Sequence, residues 1–198
     1  MTTKEEFDHQ RRLARRDRRR EHYRRGLRSM AIAGWNTSKE HNVGTLVRTA
    51  HAVAAQEVVL VGDREWNIEA AKTSEYFTDV TILEDEAAFL DYIQKRGWSL
   101  VAVELDKKAV SLFDAEYPEQ PCFLLGAERD GLPQSLIDAA EVVVQIPQWG
   151  LVPCLNLAVA GSIVMYDYLA KQKHKGVLDR PDGGLVEEEC KEARTLGR

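Results

Sequence analysis

The 198-residue chain has no run of about eighteen apolar residues, so no segment has the length to span a bilayer as a helix. Its N-terminus carries arginines where a secretory leader would place an apolar core, which excludes an ordinary signal peptide and leads us to expect a soluble, cytoplasmic protein without a membrane partner. Cysteine is scarce as well. Cys122, Cys154 and Cys190 are odd in number, scattered, and without C-x-x-C spacing, so neither a disulfide framework nor a zinc site is indicated and no metal is expected. No G-x-G-x-x-G follows the first strand-like segment, which argues against a dinucleotide-binding domain. Gly126 and Gly131 do have P-loop spacing, yet Leu132 and Pro133 stand where lysine and a hydroxyl residue belong, which argues against a nucleotide triphosphatase.

Positive charge is abundant, and it is concentrated. Residues 1–28 hold Lys4 and ten arginines against five acids, while the rest of the chain has 16 bases against 27 acids. A basic arm on an acidic body suits phosphate ligands, above all because arginine's planar fork matches phosphate oxygens. Arg11, Arg12, Arg15, Arg16, Arg18 and Arg19 are therefore candidate RNA contacts. A solvated helix, or one that touches the acidic body of its own or another subunit, explains the same charges.

Downstream, short apolar runs alternate with helical patterns. Strands are expected at Ser29–Ala33, Glu57–Val61, Val80–Leu83, Ser99–Val103, Cys122–Leu125 and Val142–Ile146. Helices are expected through Val43, Leu46, Val47 and Ala50, over Asp85–Arg96 and Pro133–Ala139, and over a final Leu155–Lys173. Strands that are apolar throughout, alternating with helices, imply an α/β fold with a mostly parallel sheet covered on both faces. The length fits one such domain, so the expected organisation is a basic extension over 1–28, an α/β domain over 29–174, and a polar tail over 175–198.

Parallel sheets bind ligands beyond the carboxyl ends of their strands, and three segments stand there. Gly126–Leu132 (GAERDGL) is a glycine-bracketed turn after an apolar strand; an ordinary connection explains it equally. Ile146–Gly150 follows the next strand and stays irregular up to Cys154-Leu155-Asn156. Two neighbouring irregular loops could offer backbone N–H and C=O groups to a flat polar ligand such as adenine. The third segment puts Asn42, Thr45 and Thr49 at i, i+3 and i+7 beside Arg48, one polar stripe on an apolar helix. A capping Asn42 and a solvated Arg48 are the plain alternative.

The N-x-G-x-x-x-R-T-A of Asn42–Ala50, the L-G-A-E-R-D-G-L of Leu125–Leu132 and the I-P-x-x-G-x-x-x-C-L-N-L-A-V-A of Ile146–Ala160 together resemble the three motifs of the TrmH (SpoU) branch of the SPOUT RNA methyltransferases, in the same order and spacing. The resemblance spans roughly Ser29 to Lys173.

It implies methyl transfer from S-adenosylmethionine to a ribose 2'-hydroxyl of tRNA or rRNA, a C-terminal deep trefoil knot, which is a rare topology, and a homodimer. Among the site residues it implies, Gly126, Glu128, Gly131, Ile146, Leu155 and Asn156 surround the cofactor, with Val103 or Glu104 contributing. By the same resemblance Arg48 matches the family's catalytic arginine, Asn42 would orient Arg48 or the ribose, and Cys154 and Asn156 would stand at the substrate side. A guanidinium keeps its proton at neutral pH, so Arg48 is expected to grip a phosphate and stabilise a developing alkoxide rather than act as a base. The family usually has serine where Cys154 stands, and a thiol is a poorer donor. The arm and the Asp179-Arg180-Pro181 tail favour tRNA over rRNA. Ribosomal RNA, methylation of a base, or a cofactor-binding RNA chaperone without methyl transfer are the alternatives.

Overall fold

The computed structural model describes residues 4–36, 40–62, 66–127, 130–151 and 154–177. Seven strands form one sheet: β1 (Arg28–Trp35), β2 (Ala55–Val61), β3 (Asp79–Leu83), β4 (Ser99–Val103), β5 (Val110–Ser111), β6 (Pro121–Leu125) and β7 (Val142–Gln145). Their spatial order is β3-β2-β1-β6-β4-β7-β5, and every pairing is parallel. Among the described residues five α-helices accompany them: α1 (Lys4–Arg24), α2 (Glu40–Ala52), α3 (Glu86–Arg96), α4 (Gln134–Ala139) and α5 (Leu157–His174). The chain divides into one unit, Met1–Asp167, and a second, Tyr168–Arg198, which begins inside α5. The tail expected beyond Lys175 lies outside the described residues after Val177.

Period-2 alternation explains the two covered faces. Ala31 and Ala33 of β1, Val59 and Val61 of β2, and Cys122 and Leu124 of β6 join a core with Phe89 and Ile93 of α3 and Leu136 and Ile137 of α4. The alternate residues Ile32 and Leu125 face the other way, where Gly161 of α5 and Leu46 of α2 meet them. Both sets are buried, which is why these strands read as unbroken apolar runs.

Local chemistry sets the ends. Asp85 caps α3 by accepting from the Ala88 N–H at 2.8 Å, and Gly97 closes it at φ 70° after Lys95 and Arg96. Final helix α5 starts two residues later than the apolar pattern predicts. Asn156 is the reason: its Oδ1 accepts from the Ala158 N–H at 3.0 Å and so acts as the cap. Helix α2 already runs from Glu40, ahead of the first apolar residue of its pattern, Val43. Strand β5 was not predicted, because two residues carry no periodicity, and neither were the 3-10 turns Ile68–Ala71 and Ser74–Tyr76.

The one acidic side chain buried in β2, Glu57, is matched by donors: Tyr92 OH at 2.7 Å, an Arg96 guanidinium nitrogen at 2.9 Å, and Thr81. A buried carboxylate with this many donors is satisfied. We read it as structural.

Candidate functional site

The arm is a 21-residue helix with two faces. On one, Arg20 and Arg24 pair with Asp79 at 2.6 and 3.0 Å. Along the same face Arg16 lies over Tyr76, Arg19 lies over Phe77, and Tyr23 donates to the His51 carbonyl at 3.0 Å. These positions recur at i, i+3, i+4, i+7 and i+8, so they form a single stripe laid on the body. Of the six arginines expected to meet RNA, Arg16 and Arg19 therefore touch the protein itself. Arg11, Arg12 and Arg18 are exposed and Arg15 is half-buried.

The seam of this docked stripe is aromatic. Burial pushes the Tyr23 phenol up to about 12 and holds His51 below the ordinary imidazole value, with the charge of Arg19 adding to the effect. The His51 ring sits 4.5 Å from Tyr23 and 5.4 Å from Phe77, and its buried Nδ1 has no hydrogen-bond partner among the described residues. Because its folded-state value is depressed, neutral His51 contributes stability that is complete above the unfolded value of about 6.5 and is lost as pH falls below it. We expect the melting temperature of the wild type to fall more steeply between pH 6.5 and 5 than that of His51→Phe. Parallel melting curves would exclude His51 as the cause.

At the carboxyl ends of β4, β6 and β7 lies a cleft of about 330 Å³, within the range of small-molecule sites. Its wall brings together Val103, Gly126, Gly131, Ile146, Cys154 and Leu155, all singled out from the sequence. Glu128 lies outside the described residues. Asn156 is not part of the wall: besides capping α5, its Nδ2 donates to Asn42 Oδ1 at 3.0 Å. The wall also contains Glu104, Leu105, Ala127 and Gln148. Sequence reasoning left Leu105, Ala127 and Gln148 aside, although their place directly after strands was a usable signal.

Helix α2 is tied to α5 at two points. One is the Asn42–Asn156 bond, and the other is the contact of Ser162 Oγ with Thr49 Oγ1 at 3.0 Å. Part of the polar stripe thus joins two helices, while Arg48 is exposed beside it. The glycine of the first motif serves packing. A Cβ on Gly44 would fall 2.4 Å from Ala70 Cβ and 2.6 Å from the Asn67 carbonyl.

Cys154 is exposed, whereas Cys122 is buried and burial pushes its thiol up. Cys190 lies outside the described residues. No helix among the described residues is long and apolar enough to cross a membrane.

A family model described as the SpoU rRNA Methylase family matches residues 29–166. The chain belongs to that family. A mouse tRNA (guanosine(18)-2'-O)-methyltransferase, TARBP1, is 29% identical over 142 residues, which cover 68% of this chain and 9% of that protein. The matched part is thus a small fraction of that relative. The tRNA (guanosine(18)-2'-O)-methyltransferase of Escherichia coli K12 is 29% identical over 154 residues, covering 76% of this chain and 67% of its own. Among solved structures, the Aquifex aeolicus TrmH/SpoU tRNA modifying enzyme superposes with a TM-score of 0.72 at 23% identity, over 91% of this chain and 94% of that one. An AdoMet-bound rRNA methyltransferase from Sinorhizobium meliloti superposes with a TM-score of 0.65 at 27% identity, over 75% and 57%.

Family and fold thus agree with the parallel α/β architecture. Within the SpoU member described here, the second and third motifs meet at the cleft, and the first adjoins them through α2.

Proposed function

We propose that the protein transfers a methyl group from S-adenosylmethionine to a ribose 2'-hydroxyl of tRNA, with guanosine 18 as the first nucleotide to test. The observation that carries this reading is the convergence of Val103, Gly126, Gly131, Ile146, Cys154 and Leu155 on one cleft at the strand ends. Relatives bearing the tRNA (guanosine(18)-2'-O)-methyltransferase name support the choice of tRNA, and the AdoMet-bound neighbour supports the cofactor.

The cleft fits such a cofactor chemically. Val103, Ile146 and Leu155 offer apolar surface to the faces of adenine, and the glycines let backbone groups come close. When bound, S-adenosylmethionine supplies an electrophilic sulfonium methyl. Arg48 then grips the phosphate beside the target ribose and stabilises negative charge as it develops on the 2'-oxygen. A guanidinium cannot accept the proton, so the proton leaves to that phosphate or to water. Asn156 holds Asn42 and, through α2, the placing of Arg48.

Cys154 stands on the cleft wall and contacts the substrate there. A hydroxyl donates better than a thiol, so Cys154→Ser should raise kcat severalfold with the affinity for S-adenosylmethionine unchanged. Single-turnover rates decide this, and a loss of rate would show the thiol to be the fitted group.

A second copy of the chain completes the site in this reading. Trp149 and Leu151 are 85% and 103% exposed beside the cleft, and Val159 and Tyr166 of α5 are exposed too, an apolar surface of the kind that marks association. The deep trefoil knot belongs to the same proposal, and Ile146, Cys154 and Leu155 of the third motif share the cleft wall with Gly126 and Gly131 of the second.

The test is incubation with methyl-labelled S-adenosylmethionine and total RNA, followed by size separation. Label should enter tRNA. Label confined to rRNA would overturn the choice of substrate, and cofactor binding with no label in RNA would favour a chaperone.

A further inference from the structure

The residue at the end of β4, Glu104, has an arrangement that the three motifs do not account for. Its carboxylate reaches across to the glycine-bracketed loop after β6. There Oε2 accepts from the Leu132 N–H at 2.9 Å, while Oε1 accepts from the Leu105 N–H at 3.0 Å. The loop closes on itself by a two-bond bridge, Ala127 N–H to the Gly131 carbonyl at 3.2 Å and Gly131 N–H to the Ala127 carbonyl at 3.0 Å.

The two bracketing glycines sit against that same carboxylate. A Cβ on Gly126 would fall 2.9 Å from Glu104 Oε2 and 2.7 Å from the Gly131 carbonyl carbon. A Cβ on Gly131 would fall 2.7 Å from the same oxygen, at a φ of 65°. The Gly131 backbone bars a Cβ on Gly126 and the φ of Gly131 strains any side chain there, while at both positions an added Cβ would also displace the Glu104 carboxylate. Glu104, Gly126 and Gly131 all stand on the wall of the cleft, so the device that shapes the loop is also part of the site.

We propose that Glu104 is the positioning residue that sets the shape of the cofactor cleft, holding the Leu132 amide in the space that Gly126 and Gly131 leave beside its carboxylate. The proposal rests on the reading of this cleft as the S-adenosylmethionine site. Hydrogen bonds to an ionised acceptor are stronger than neutral ones, so a carboxylate tethers the Leu132 amide better than a neutral oxygen. The loop wall is fixed before the cofactor arrives, and the cost of ordering it is removed from binding.

The experiment compares wild type, Glu104→Ala, Glu104→Gln and Gly131→Ala. S-adenosylmethionine affinity is read by calorimetry, RNA affinity by filter binding, and exchange of the Leu132 amide by hydrogen–deuterium measurement without cofactor. Glu104→Ala should weaken cofactor binding by about ten- to a hundredfold, leave RNA affinity within about twofold, and speed Leu132 exchange. Glu104→Gln keeps an acceptor oxygen and should restore cofactor affinity to within about threefold of the wild type. Gly131→Ala should weaken cofactor binding, and combining it with Glu104→Ala should cost less than the sum of the two, because both act on one contact.

Wild-type cofactor affinity in Glu104→Ala, unchanged Leu132 exchange, or strict additivity of the pair overturns the proposal. Should the wild type bind no S-adenosylmethionine, the function proposed above fails. Leu132 exchange then still decides whether Glu104 holds the loop.

Discussion

Arg48→Ala should lose methyl transfer by about 10²–10³-fold, the usual cost of removing one charge-stabilising donor from an active site, while binding S-adenosylmethionine as the wild type does. The expectation follows from where α2 places the residue. Asn42 and Thr49, seven positions apart, are both engaged with α5, and they fix the helix on either side of Arg48. Arg48 itself is exposed, so its truncation leaves no buried hole and no unpaired buried group, and stability should change little. The cleft wall contains no residue of α2, which is why cofactor affinity should survive. Arg48→Lys keeps the charge but loses the planar fork, and it should recover only a minor part of the rate. Single-turnover kinetics with calorimetry checks all three points, and normal turnover in Arg48→Ala would remove the arginine from the mechanism.

Replacing Arg11, Arg12 and Arg18 together by glutamine should reduce RNA affinity on the order of a hundredfold at physiological salt, and it should flatten the salt dependence by about two to three units of slope. All three are exposed; Arg11 and Arg18 lie on the face of α1 opposite the stripe that Asp79, Tyr76 and Phe77 hold, and Arg12, four residues before Arg16, continues the line of that stripe. Replacing Arg20 and Arg24 should act differently. Their ion pairs with Asp79 are half-exposed and each contributes at most about 1 kcal/mol, so the effect is a loosened arm and a small loss of melting temperature with the salt slope nearly kept. RNA affinity measured across a salt series separates the two sets. Equal slopes for all variants would place RNA elsewhere than on Arg11, Arg12 and Arg18.

The strands were legible because both faces of the sheet are covered, so β1, β2 and β6 appear as unbroken apolar runs. Their order was not. That β6 lies between β1 and β4 is a long-range fact, and no local pattern encodes it. The cleft was legible in a similar way, since Gly126, Gly131, Ile146 and Leu155 come directly after strands or before a helix. The role of Glu104 was less so. The resemblance names Glu104 only as an alternative to Val103 at the cofactor, and its hold on the loop shows once the fold brings it against two glycines 22 and 27 positions away.

The arm shows the converse. Its charge suggested phosphate contacts, yet four of its ten arginines, Arg16, Arg19, Arg20 and Arg24, answer Asp79 and the aromatic side chains of the body. The period of the docked stripe is visible in the sequence only once its partners are known. Asn156 was expected at the cofactor and at the substrate side, and the fold also has it cap α5 and hold Asn42. That is a positioning task performed between two motifs.

The central claim is methyl transfer to the sugar, and nucleoside analysis tests it most directly. Transfer RNA treated with the purified protein and S-adenosylmethionine is digested to nucleosides, and each methylated nucleoside is fragmented in a mass spectrometer. The account predicts a methyl group retained on the ribose fragment of guanosine, absent when Arg48→Ala replaces the wild type. A methyl group on the base fragment, or equal yield from Arg48→Ala, would contradict it.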